Sequence, residues 1–271
     1  MHLRNAIHSI AVAGLIAGVG CGQSVSPVAT VPETKPEAAP KPPGSGTAKP
    51  PGSGKARPSG EPSPLSAFRN RSKNNLIQIA MASANYHDSR MKYPNNILSK
   101  DGKPLLSWRV AILPNIDQAL LYNEFKLDEP WDSAHNIKLV AKMPSTYAPV
   151  RAKAKPGETF YRGFDGPGAL FETGKSNSII APDGTANTFA VVEAAEPVIW
   201  TKPEDLKFDP KGPLPKLGGE YDGDFLAAFM DTDVYLYKKD VDPKVILGAI
   251  TLAGNEKIDP RAAGTALKDS R

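Results

Sequence analysis

FLAAFMDTDVYLYKK, residues 225–239, decides how this chain folds. Phe225–Met230 and Val234–Lys238 read as strands, and Asp231-Thr232-Asp233 between them reads as a hairpin turn, because Asp side chains bond the backbone two residues on. Further strands are expected at Phe160–Gly163, Thr188–Ala194 and Val198–Thr201, rich in β-branched or aromatic residues and bounded by Gly, Pro, Asp and Asn. A last helix is expected over Pro243–Leu252, carrying Val245, Ile246, Ala249 and Ile250. Before Pro144 the pattern is helical. A long helix is predicted from about Ser66 to Asp88, with Asn75, Gln78, Asn85 and Ser89 on one narrow polar arc and a wide apolar face elsewhere. His87 lies on that apolar side and reads as a packed histidine near a helix C-terminus. Leu105–Leu113 and Ile116–Phe125 read as short helices separated by Pro114. Asp132 or Ser133 reads as the N-cap of a helix ending near Met143. Helices first and strands later predict an α+β domain with an antiparallel sheet over residues 65–271.

The N-terminus reads as an address. Arg4 and two histidines precede the apolar run Ile10–Ala17, which is too short to span a ~30 Å hydrocarbon core. The run ends in Gly18-Val19-Gly20-Cys21, which resembles the lipobox of bacterial lipoproteins, with Gly18 where that family prefers Leu. Cys21 is the single Cys of the chain. The resemblance implies a signal peptide over 1–20, acylation of Cys21, and a lipid-anchored protein exported to face the periplasm or cell surface. An ordinary cleaved leader with an incidental Cys is the alternative. Residues 21–64 are rich in Pro, Gly and Ser, and KPPGSG recurs at 41–46 and 49–54. Such a stretch buries too little apolar surface to offset its ordering entropy and reads as a disordered tether.

Composition removes several chemistries. One Cys forbids an internal disulfide framework and any multi-Cys metal site. The net charge is +4, yet residues 65–271 carry 27 Lys and Arg against 26 Asp and Glu. A domain this close to neutrality has no electrostatic footprint for nucleic acid. There is no GxSxG elbow, GxGxxG or P-loop, and beyond the leader only His87 and His135 remain. No cofactor and no metal are expected.

Four blocks carry a family pattern. NNLIQIAMASANYHDSRMKYP at 74–94, the block at 100–144 around LLSWRVAILPNIDQALLYNEF, PDGTANTFAVVEAAEPVIWTKPEDL at 182–206 and FLAAFMDTDVYLYKK resemble a large family of exported bacterial proteins. That family is abundant in planctomycetes and is known as domain of unknown function fifteen fifty-nine; its label also invokes solute binding. The resemblance implies a pilin-like domain, a long N-terminal helix and short helices packed on an antiparallel sheet. It brings no catalytic residues. The chain departs from the family in three places. A lipobox-like leader and a Pro-rich tether replace the prepilin stalk, Asp231-Thr232-Asp233 stands for Asp-Gly-Ser, and Glu220 stands where His is frequent.

The densest polar cluster is Asp128-Glu129-Pro130-Trp131-Asp132-Ser133-Ala134-His135-Asn136. Paired carboxylates with a histidine shuttle would suit a hydrolase, and Asp128, Asp132 and His135 could ligate a metal. The architectural reading makes Trp131 an anchor and Asp132 a cap. Trp108 and Arg109 read as a stacked core pair or a sugar platform. Glu193 stands among apolar strand residues, and Arg109 is its expected partner. The Asp183–Thr188 turn offers oxygen ligands of the kind Ca²⁺ takes, and side-chain bonding within the turn accounts for it as well. The leading expectation is therefore a non-enzymatic envelope lipoprotein that serves structure or interaction with an envelope protein or glycan. The alternatives are a solute- or glycan-binding module using Trp108, Trp131 and Trp200, and a hydrolase built on residues 128–136.

Overall fold

The computed structural model describes residues 63–151, 154–173, 175, 183–253 and 259–267. The leader, Cys21 and nearly all of the Pro-rich segment lie outside the described residues.

Helix α1 runs Pro64–Arg90, two residues longer at each end than its apolar pattern marks. Ser63 caps it by accepting the Ser66 N–H, and Pro64 at the first position supplies a pre-set φ. It stops where Met91 turns left-handed (φ 56°) and donates its N–H to the His87 carbonyl. His87 and Arg90 in the last turn meet the negative end of the helix dipole. His87 is half-buried, its Nδ1 3.2 Å from the Asp88 carboxylate. The buried stripe is narrower than the apolar pattern: Ser72, Leu76, Ile79, Ala80 and Ser83 face inward, whereas Met81 is 50 % exposed.

The middle segment departs from expectation. Strands β1 (Ile97–Leu98) and β2 (Pro104–Leu106) form an antiparallel pair where a helix from Leu105 is predicted. The reason is Ser107, whose N–H is held extended by the Thr201 carbonyl at 2.9 Å and whose hydroxyl caps α2, Trp108–Ala111. Pro114 sits at the start of a 3-10 turn, Leu113–Ile116. Asp117 then turns left-handed (φ 59°), so α3 begins at Ala119 and covers Ala119–Glu124. Residues Asn136–Lys142 form a 3-10 helix in place of an α-helix starting at Asp132 or Ser133.

Strands β3 (Glu158–Arg162), β5 (Phe189–Ile199), β7 (Phe225–Phe229), β8 (Val234–Tyr237) and β9 (Thr265–Ala266) make one antiparallel sheet in the order β3-β5-β7-β8-β9. Short strands β4 (Phe164–Asp165) and β6 (Leu206–Lys207) pair in parallel beside it. The two strands expected at 188–194 and 198–201 are one, because a register break opposite Thr159 and Tyr161 lets β5 carry Pro197 in an irregularity. The β7–β8 hairpin pairs Ala228 with Val234, and Thr232 in its turn has φ 78°.

Both faces of the sheet are covered, which is why β7 is apolar at every position. Leu226, Ala228 and Met230 pack into one core with α1 residues Leu76, Ile79 and Ala80. Phe225, Ala227 and Phe229 pack into a second core with Val245, Ile246, Ala249 and Ile250 of α4, Pro243–Ile250. Among the described residues no helix is long and apolar enough to cross a membrane.

Candidate functional site: a buried polar spine

The side chains singled out from the sequence gather around Tyr161 on β3. On one side lies Arg109, fully buried at the start of α2. Its Nε donates to the Tyr161 carbonyl (2.9 Å), Nη1 to Ser107 Oγ (2.6 Å) and Nη2 to Asp205 Oδ1 (3.4 Å). Asp205, 1 % exposed, is the hub of this half. The same Oδ1 accepts Trp108 Nε1 and the Gly163 N–H at 3.0 Å each, and Oδ2 accepts Asn96 Nδ2. Gly163 has to be glycine here, because a Cβ would stand 2.2 Å from the Phe171 ring. That ring stacks on Trp108 at 4.8 Å, and the Arg109 guanidinium lies 4.7 Å from the same indole.

On the other side lies Glu193, also fully buried. Its partner is not Arg109. Oε1 accepts a short hydrogen bond from Ser72 Oγ of α1, and Oε2 accepts the Leu226 N–H of β7 (2.8 Å). Ser72 Oγ in turn accepts from the Tyr161 hydroxyl (2.8 Å), to which Asn75 Nδ2 donates at 3.2 Å. Cross-strand register places Tyr161 directly opposite Glu193, on the sheet face that packs against α1. Burial pushes the Glu193 carboxyl up to about 8, against the opposing pull of the Ser72 and Leu226 hydrogen bonds, with Glu220 nearby pushing it further. At neutral pH it is therefore mostly a protonated acid. Asp205 and Ser72 carried no sequence signal: one sits among solvated-looking charges in TKPEDL, the other among polar residues early in α1.

The 128–136 segment lies apart from this spine. Asp128 and Asp132 are exposed and Trp131 is partly buried, with the Lys202 ammonium 5.8 Å from its ring. The N-cap position of the following 3-10 helix is His135, and its first N–H, that of Asn136, is accepted by Ser133 Oγ at 3.0 Å rather than by Asp132. His135 Nε2 is 2.7 Å from the Glu124 carbonyl. The organising residue is Asn136, fully buried. Its Oδ1 accepts the Lys126 N–H, and its Nδ2 donates to the carbonyls of Lys126, Glu129 and Pro130. Asn136→Ala leaves several backbone groups unpaired and should cost about 2–3 kcal/mol, whereas Asp132→Ala should stay within about 0.5 kcal/mol. Urea unfolding of both variants checks this; equal effects would place the joint elsewhere. Trp200 is fully buried, with Nε1 donating to the Val140 carbonyl and its ring stacked on Tyr147.

Both acidic turns are internally occupied. Asn187 Nδ2 donates to the Asp183 carbonyl and Thr188 Oγ1 to that of Gly184. At the hairpin turn the cation is a guanidinium. Arg261 pairs with Asp233 (2.9 Å) and with Asp231, and donates its Nε to the Ala186 carbonyl, joining the two turns. Among the described residues no three His, Cys, Asp or Glu side chains stand close enough to share a metal ion.

Residues 66–181 match the model of a family described as "Protein of unknown function (DUF1559)". The match covers α1 through β4 and ends before β5. No curated protein and no solved structure matches the chain.

Proposed function

We propose that this chain, which belongs to the DUF1559 family through residues 66–181, is a non-enzymatic lipoprotein of the bacterial cell envelope. Acyl chains on Cys21 hold it to the bilayer, and the domain at the end of the tether serves envelope structure or contact with an envelope protein or glycan.

One observation carries the non-enzymatic half of this reading. Trp108, Arg109, Glu193 and Trp200 are all fully buried, with every named partner internal, so a substrate has no approach to them. The same burial weighs against a ligand platform of three tryptophans, since only Trp131 reaches solvent. The anchoring half rests on the leader ending in Gly20-Cys21 and on the Pro-rich run after it. Two or more acyl chains, each burying methylenes at ~0.8 kcal/mol apiece, hold a protein stably at a bilayer.

Intact-mass measurement of membrane-extracted protein tests the anchor. The expected result is loss of residues 1–20 with two or three acyl groups on Cys21, and release of the protein into the soluble fraction by Cys21→Ala. An unmodified thiol at position 21 in membrane-extracted protein would sink the proposal.

A further inference from the structure

On the sheet face that packs against α4, a cleft of about 370 Å³ opens between that helix and the loop at 214–217. Phe225 and Ile246 form its floor, and Leu214, Leu217 and Val241 form its walls. Two exposed lysines, Lys216 and Lys239, complete the lining. The Lys239 stem lies flat over Gly223, where a Cβ would come within 2.9 Å of it, so an apolar stem extends the cleft and the charge stays in solvent. Asp240 and Glu196, next in the chain to lining residues Lys239 and Ala195, are exposed, and the other acids near it are already engaged. Asp224 holds Arg69 and Lys238, Asp222 holds Arg151, and Asp242 caps α4. Neither the Lys216 nor the Lys239 ammonium takes part in an ion pair among the described residues.

An apolar trough with two uncompensated cations selects a ligand that is apolar along its length and anionic at one end. We propose that this cleft binds one free acyl chain bearing a carboxylate, the chain on Phe225 and Ile246 and the carboxylate between Lys216 and Lys239. The volume lies at the small end of ligand pockets, roughly 300–1,000 Å³, and suits one chain better than a two-chain lipid. This binding goes beyond the envelope reading and does not depend on it.

Calorimetric titration of the full chain with dodecanoate, below its micelle concentration, tests the site. Saturable one-to-one binding is expected, weakening by up to roughly fourfold for each methylene removed. Dodecanol should bind about two- to fivefold more weakly, and Lys216→Ala/Lys239→Ala should erase that difference while leaving the melting temperature unchanged. Leu217→Glu and, independently, Val241→Glu should each abolish binding. Equal affinity for dodecanoate and dodecanol in the parent chain would overturn the proposal. So would full dodecanoate affinity in both glutamate variants, or binding to phosphatidylglycerol vesicles without binding to monomeric dodecanoate.

Discussion

Glu193→Gln should make the domain more stable at pH 8.5 and remove most of its pH dependence between pH 4.5 and 8. The carboxyl is fully buried between α1 and the sheet, and burial raises it from an ordinary value of 4.5 to about 8. Within that interval the folded chain keeps a proton that the unfolded chain releases. Stability from this group is therefore fully present below about pH 4.5, declines as pH rises, and is lost above about pH 8. At ~1.4 kcal/mol per pH unit the full effect is on the order of 5 kcal/mol. That is a large part of the ~5–15 kcal/mol that holds a typical domain folded. Glutamine keeps an oxygen for the Leu226 N–H and an amide for Ser72 while removing the ionisation. Urea midpoints of both proteins at pH 5 and pH 8.5 decide the matter. Parallel pH profiles would mean that Glu193 is not the titrating group.

The architecture was legible wherever one period dominates. The β7–β8 hairpin alternates side chains between two cores, and its turn is fixed by Asp chemistry that the sequence displays openly. Helix α4 and the second half of α1 likewise follow from their apolar spacing, and both helices have Pro at the first position. The segment 96–143 was legible only in part: α2 and α3 fall inside the two expected short helices, but the strand pair before them and the 3-10 helix after them are set by tertiary contacts. Ser107 is held extended by a carbonyl ninety-four residues away at Thr201, and Asn136 draws three carbonyls around itself. Neither contact leaves a periodic trace in the chain.

Site residues show the same division. A buried acid in β5 and a buried base beside Trp108 were both visible from their apolar neighbours, but pairing them with each other was wrong. Composition says that a buried charge needs a partner; only strand register says on which side the partner stands. Glu193 meets Ser72 of α1, while Arg109 is answered by Asp205. At the 128–136 joint Trp131 packs against the core beside α1. Its ring is only partly buried, and the small polar Asn136 next to it does the joining.

Asp205→Ala should be the most damaging single substitution on the α2 side of the spine, costing about 3–5 kcal/mol. The loss has two sources. Arg109 would keep its charge at a fully buried position with only neutral acceptors, the Tyr161 carbonyl and Ser107 Oγ. Trp108 Nε1 and the Gly163 N–H would lose the oxygen they share. Asp205→Asn separates the two, since its Oδ1 still accepts those hydrogen bonds while the counter-charge is gone, and it should fall between wild type and Ala. Removing the charge from the other side supplies the control: Arg109→Met in the Asp205→Ala background should recover part of the loss, because an apolar replacement of a buried ion pair is often close to neutral. Recovery will be incomplete, as Arg109 Nε also ties α2 to β3 through the Tyr161 carbonyl. Chemical denaturation of wild type, Asp205→Ala, Arg109→Met and the double variant closes the cycle, with Asp205→Asn measured beside them. If the double variant is no more stable than Asp205→Ala alone, the cost lies in the lost Trp108 and Gly163 hydrogen bonds and not in the stranded guanidinium.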